Sequence, residues 1–153
     1  MKPFLLSLGW LIVIAVGSAG RAEEVSAANQ TEPAKLRARP VTDYASLADS
    51  LRARGVRADP QGKVNQPFFS IAGTMIKLHG EEVQVFQYPD AAAMETEAAR
   101  VSRDGSSVGT TKPHWIGTPH FYQQGRLLVL YVGDEDKVIK ALVAALGRQF
   151  AGQ

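Results

Sequence analysis

The sequence predicts an α+β fold: a single two-layer domain in which a mainly antiparallel sheet of four to five strands, made from two hairpins, packs with three helices in the order α-β-β-β-α-β-β-α. Three observations predict it. Apolar residues recur with helical spacing in three separate stretches, around Leu47, Met94 and Leu142. Two pairs of strand-like runs flank short glycine-containing turns, His79-Gly80-Glu81 and Gln123-Gln124-Gly125. Hairpins are followed by helices instead of alternating with them one for one, which favours antiparallel pairing.

The first helix is predicted over 42–54, where Tyr44, Leu47, Ala48 and Leu51 fall at i, i+3, i+4 and i+7. Thr42 or Asp43 can cap its start, and Gly55 can close its end. A short strand is expected near Val56–Ala58, followed by a turn at Pro60 and Gly62. Gly73–Leu78 and Glu82–Tyr88 then read as a hairpin. Val83 and Val85 point to one face and Gln84, Phe86 and Tyr88 to the other, so bulk on both sides marks a covered strand. Pro89 ends it and Asp90 caps a second helix over 91–102, with Ala91, Met94, Ala98 and Val101 inward. A connection rich in glycine and threonine, 103–113, leads to the second hairpin, His120–Tyr122 and Arg126–Val132. The later strand is apolar almost throughout and is expected to be buried on both faces. Asp134 is expected to cap the last helix, which packs through Val138, Ile139, Leu142, Ala145 and Leu146.

The chain of 153 residues is 45% hydrophobic and 21% charged, the composition of an ordinary globular domain. Its net charge of +2 comes from the beginning of the chain. Lys2 and Arg21 precede the first acidic residue, Glu23, so of 17 basic and 15 acidic residues the remainder of the chain holds 15 of each. A balanced chain with no basic stripe argues against a nucleic-acid partner, because that binding rests on neutralising phosphates. Cysteine is absent, which excludes disulfides, thiol catalysis, Cys-ligated metals and a lipid-bearing cysteine.

Residues 1–22 have the layout of a secretory signal: Lys2, the apolar run Phe4–Val16, then Gly17-Ser18-Ala19-Gly20, with cleavage expected after Ala19 or Ala22. The run is short for a membrane span of about 20 apolar residues and is interrupted by Ser7 and Gly9. Residues 23–40 carry almost no large apolar side chains and read as a disordered tether, leaving 41–150 as the folded domain. The expected location is extracytoplasmic: periplasm, cell envelope or medium. A membrane tether follows only where the N-terminal segment is retained.

The stretches Gln66-Pro67-Phe68-Phe69-Ser70, Gly80–Asp90, Asp104–Thr111, Pro119–Tyr122, Gly125-Arg126-Leu127 and Leu130–Asp134 give the folded part a further character. In them the chain resembles a family of short exported bacterial proteins, often lipoprotein-like, that carry no known activity. The resemblance implies export and a shared fold. This chain departs from the family in lacking the cysteine that would bear a lipid.

No motif specifies a reaction. Gly105-Ser106-Ser107-Val108-Gly109-Thr110-Thr111-Lys112 has the look of a phosphate loop, but Lys112 does not directly follow the second glycine and Pro113 stands where a helix should start. The three histidines, His79, His114 and His120, lack the spacing of a helical metal pair. Ser106 and Ser107 lack a nucleophile elbow. What remains is a concentration of rings and prolines in 105–122, suitable for a binding groove because rigid rings bury area at low entropic expense. The candidate ligand-binding residues are Ser107, His114, Trp115, His120 and Tyr122, with Trp115, His114 and Tyr122 expected at the surface and Phe68 and Phe121 in the core. The expected function is that of a non-catalytic envelope or secreted module that uses no cofactor or metal and binds a protein, peptide or small ligand. The alternatives are a small hydrolase or metal-dependent enzyme using His114 and His120, and a structural accessory domain near the membrane.

Overall fold

The computed structural model describes residues 39–152, so the expected signal segment 1–22 and nearly all of the tether 23–40 lie outside the described residues. The elements follow in the order α1 (Tyr44–Arg52), β1 (Asp59–Val64), β2 (Gly73–Leu78), β3 (Glu81–Gln87), α2 (Ala91–Ala98), β4 (Pro119–Gln124), β5 (Leu127–Val132), α3 (Asp136–Leu146) and β6 (Ala151–Gly152). All six strands join one antiparallel sheet in the order β1-β2-β3-β5-β4-β6. The α+β class and the predicted order of helices and hairpins hold. Among the described residues no helix is long and apolar enough to cross a membrane.

Both hairpins close through two-residue turns that need positive φ. His79 (φ 51) and Gly80 (φ 92) both occupy left-handed space, as a type I′ turn requires. Gly125 (φ 58) takes the first central position of the β4–β5 turn. A side chain there would also drive a Cβ to within 2.5 Å of Thr42 Cα. Asp43 caps α1 by accepting from Ser46 N at 2.9 Å while the Ser46 hydroxyl accepts from Asp43 N, a reciprocal pair that fixes where the helix starts.

The pleat sorts side chains onto two faces. On one, Ile76, Leu78, Val83, Val85, Tyr122, Leu127, Val129 and Tyr131 pack with Leu47 and Leu51 of α1 and Val138, Ala141, Leu142 and Leu146 of α3. On the other, Phe86, Leu128, Leu130 and Phe121 pack with Met94 and Ala98 of α2, Phe68 and Phe69 of the β1–β2 connection, and Val108. The sheet is thus covered on both sides, as the bulk on both faces of β3 and β5 predicts, so that helices lie on two faces instead of the one layer of the predicted two-layer arrangement. The two coverings are unequal. Two amphipathic helices close the first face, while the second has only the eight residues of α2 and the aromatic loops.

Three boundaries moved for local reasons. The strand expected at Val56–Ala58 forms at Asp59–Val64, where a bulge between Pro60 and Gly62 absorbs the turn-forming residues on an edge strand. The second helix stops at Ala98, because Val101 leaves the helical path to bridge with Val108. The last helix is capped by Glu135, whose carboxylate accepts from Lys137 N, not by Asp134. β6 adds a sixth strand beyond the four to five expected; it pairs with His120 and Phe121.

Candidate functional site

The glycine-rich connection between α2 and β4 is held at many points. Asp104 Oδ1 accepts from the Ser102 hydroxyl at 2.7 Å, the Ser106 hydroxyl at 2.9 Å and Ser106 N at 3.1 Å, and these donors hold its carboxyl down at about 2. Ser107 N donates to Ser102 Oγ, and Ser102 N donates back to the Ser107 carbonyl, both at 2.9 Å. Val108 and Thr111 exchange backbone bonds at 2.9 and 3.1 Å. Every one of these contacts is internal to the loop. In the segment that resembled a phosphate cradle the Ser106 and Ser107 amides are bound by Asp104 and Ser102 of the same loop, which fixes its first half.

Trp115 is fastened to this loop. Its indole Nε1 donates to the Gly105 carbonyl at 2.8 Å, and its ring meets Phe68 and Phe121 edge-on at 5.8 and 6.0 Å. It is half-buried against the second core, not free at the surface. The next residue points the other way: Ile116 is 97% exposed. Among the described residues only one other large hydrophobic side chain is exposed, Val143 on α3, at 44%. Gly117 lies against Gly133 at the end of β5, and Gly133 N donates to the Thr118 carbonyl at 2.9 Å. The apolar tip is therefore pinned on both sides.

The five residues singled out from the sequence do not come together. Period-two alternation along β4 sends Phe121 to the α2 face with Trp115, and His120 and Tyr122 to the α1/α3 face. Tyr122, expected at the surface, is fully buried, and its hydroxyl has no partner among the described residues. His120 is also buried, with Nδ1 2.7 Å from Gln149 Oε1, Nε2 3.1 Å from the Gly133 carbonyl and its ring stacked on Tyr131 at 5.9 Å. Both ring nitrogens are occupied in holding the C-terminal segment and the β5–α3 turn. His114 is exposed on the loop beside Trp115, and Ser107 is half-buried within its own turn. Phe68 and Phe121 are buried, as the sequence suggested.

No catalytic geometry forms from these parts. Among the described residues Ser107 makes no bond to a histidine, and no group of three or more His, Asp or Glu is placed to hold a metal ion. His79, His114 and His120 stand on a hairpin turn, an outer loop and a buried strand position respectively. A groove of about 530 Å³ runs between α1 and the start of β1, lined by Ala48, Arg52, Val56, Arg57 and Asp59 among others. Its two arginines are engaged by Asp49 and Asp59 at 2.6 and 2.5 Å.

Sequence reasoning passed over Ile116. The signal was its place between Trp115 and Gly117 in a loop bounded by Pro113 and Pro119. If the tryptophan is drawn into the core, its neighbour in an extended chain is turned outward. Compared with protein-family models, with curated proteins and with solved structures, the chain matches none.

Proposed function

We propose that the protein is a non-catalytic, extracytoplasmic binding module that engages a protein partner through loop 113–118, with Ile116 as the anchor. The observation that carries this reading is the contrast within one dipeptide: Trp115 is bonded and packed, and Ile116 beside it is 97% exposed. An isoleucine held out on a rigid support buries its area on a partner without first losing backbone freedom, the property of an anchoring residue. The position of the loop supports the same reading. Arg126 N donates to the Thr42 carbonyl, so the chain enters the domain at the β4–β5 turn, whereas Gly117 packs at Gly133 beyond the far end of β5. Six residues of strand separate the two ends by about 20 Å. Ile116 thus stands at the end of the domain opposite to Thr42.

The test is Ile116→Arg in the full chain, with Val143→Arg as control, each used to capture binding partners from an envelope fraction. Both substitutions sit on exposed side chains and should leave thermal unfolding within about 0.5 kcal/mol of the parent. Loss of a defined partner with Ile116→Arg and its retention with Val143→Arg is the expected result. Equal capture by the two variants overturns the assignment.

A further inference from the structure

The α2 face of the sheet is not closed over β2 and β3. By alternation with Ile76, Leu78, Val83 and Val85, which enter the first core, the side chains of Met75, Lys77, Glu82 and Gln84 stand on the second face. α2 is about 12 Å long and packs over β5, while the sheet is about 24 Å wide, so one short helix cannot reach this strip. The β1–β2 connection covers the neighbouring part of this face, with the Phe69 and Phe86 ring centroids 4.7 Å apart and Gln66 bonded to Gln84, and it stops short of Lys77 and Glu82. Met75 and Gln84, directly paired, are left half-buried, and Lys77 and Glu82, also directly paired, are exposed. Lys77 and Glu82 form no ion pair with each other or with any other described residue, although opposite charges facing one another across two strands would be expected to meet.

We propose that this strip is a two-fold interface between two copies of the chain. A rotation of 180° about an axis parallel to the strands and midway between β2 and β3 brings the strip onto itself. It sets Lys77 of one copy over Glu82 of the other, and Met75 over Gln84, each contact occurring twice. Lys77 and Glu82, flanking the axis in register and in no ion pair among the described residues, are self-complementary under this operation and under no translation along the face, while Asp59, which neighbours Lys77 on β1, is held by Arg57. Met75 supplies an unbranched, adaptable apolar contact next to the axis, while Gln84, whose Oε1 accepts from Gln66 Nε2 at 2.9 Å, keeps amide hydrogens to donate across it. The proposal goes beyond the reading of loop 113–118 and does not rest on it. A pair formed this way carries two Ile116 loops and would bind a repeated or dimeric partner more tightly than one copy does.

The test is the mass of the full chain by light scattering from about 1 to about 200 μM, a range spanning weak and firm association. Wild type is expected to approach twice the mass of one chain. Lys77→Glu sets Glu against Glu twice and Glu82→Lys sets Lys against Lys twice, so each variant alone is expected to remain single, with association weakened at least about tenfold. An equimolar mixture of the two variants restores both opposite-charge contacts and is expected to recover the double mass, which also shows that both variants are folded. A single-chain mass for wild type across the whole range, or full association by either variant alone, overturns the proposal. Because Ile116→Arg lies outside the strip, its effect on partner capture is read separately from these masses.

Discussion

At the scale of single residues the clearest signature is the set of four tyrosines. Burial raises the hydroxyl pKa of all of them, that of Tyr122 up to about 12, and at Tyr88 the Glu97 carboxylate adds to burial. A group whose pKa is higher folded than unfolded supports the fold below its unfolded value and withdraws that support as pH rises. Stability should therefore fall from about pH 10 upward, with the Tyr122 and Tyr88 phenolates appearing only as the domain unfolds. The Tyr122 and Tyr88 hydroxyls are buried with no partner among the described residues, and an unsatisfied buried hydroxyl opposes folding by about 1–3 kcal/mol. Tyr122→Phe should consequently leave stability at pH 7 unchanged or raise it by about 1 kcal/mol, and should soften the alkaline loss. Urea unfolding at pH 7 and pH 11 checks both statements. A loss above about 1 kcal/mol at pH 7 would mean that the hydroxyl has a partner.

At the scale of elements, α2 is the weakest part of the covering. It has eight residues, no acidic side chain within its first turn, and an N-terminus that rests on the bond from Ala93 N to the Asp90 carboxylate at 2.8 Å. Asp90→Ala should lower stability by about 1 kcal/mol and speed amide exchange in α2 ahead of α1, whose cap is reciprocal. This unevenness bears on what could be read in advance. α1, β2, β3, β5 and α3 were legible because each buries a side with its own period, as Leu47/Leu51 and the unbroken run Leu127–Val132 do. β1 was not: Asp59-Pro60-Gln61-Gly62 carries turn residues, and it becomes a strand only because the free edge of β2 offers it bonds. β6 has two residues, too few for any period, and exists through its pairing with β4. The site was half legible. The concentration of rings in 105–122 was visible, but which face each ring takes depends on the register of β4, and that register parted His120 and Tyr122 from Trp115.

At the scale of the whole molecule the domain is a sheet closed firmly on one side and partly on the other, entered at one end and carrying its exposed apolar tip at the opposite end. Among the described residues the histidines stand apart and the most exposed large apolar side chain stands on a pinned loop, which supports the proposed role in contact with a partner. Contact is a matter of where on the surface partners arrive, so it can be read by position. The most direct measurement places a photo-crosslinking side chain at position 116 or at position 143 of the full chain in the producing cell, followed by irradiation and gel analysis. A discrete crosslinked product at 116 with none at 143 is the predicted result; equal labelling at both positions, or none at 116, would contradict the account.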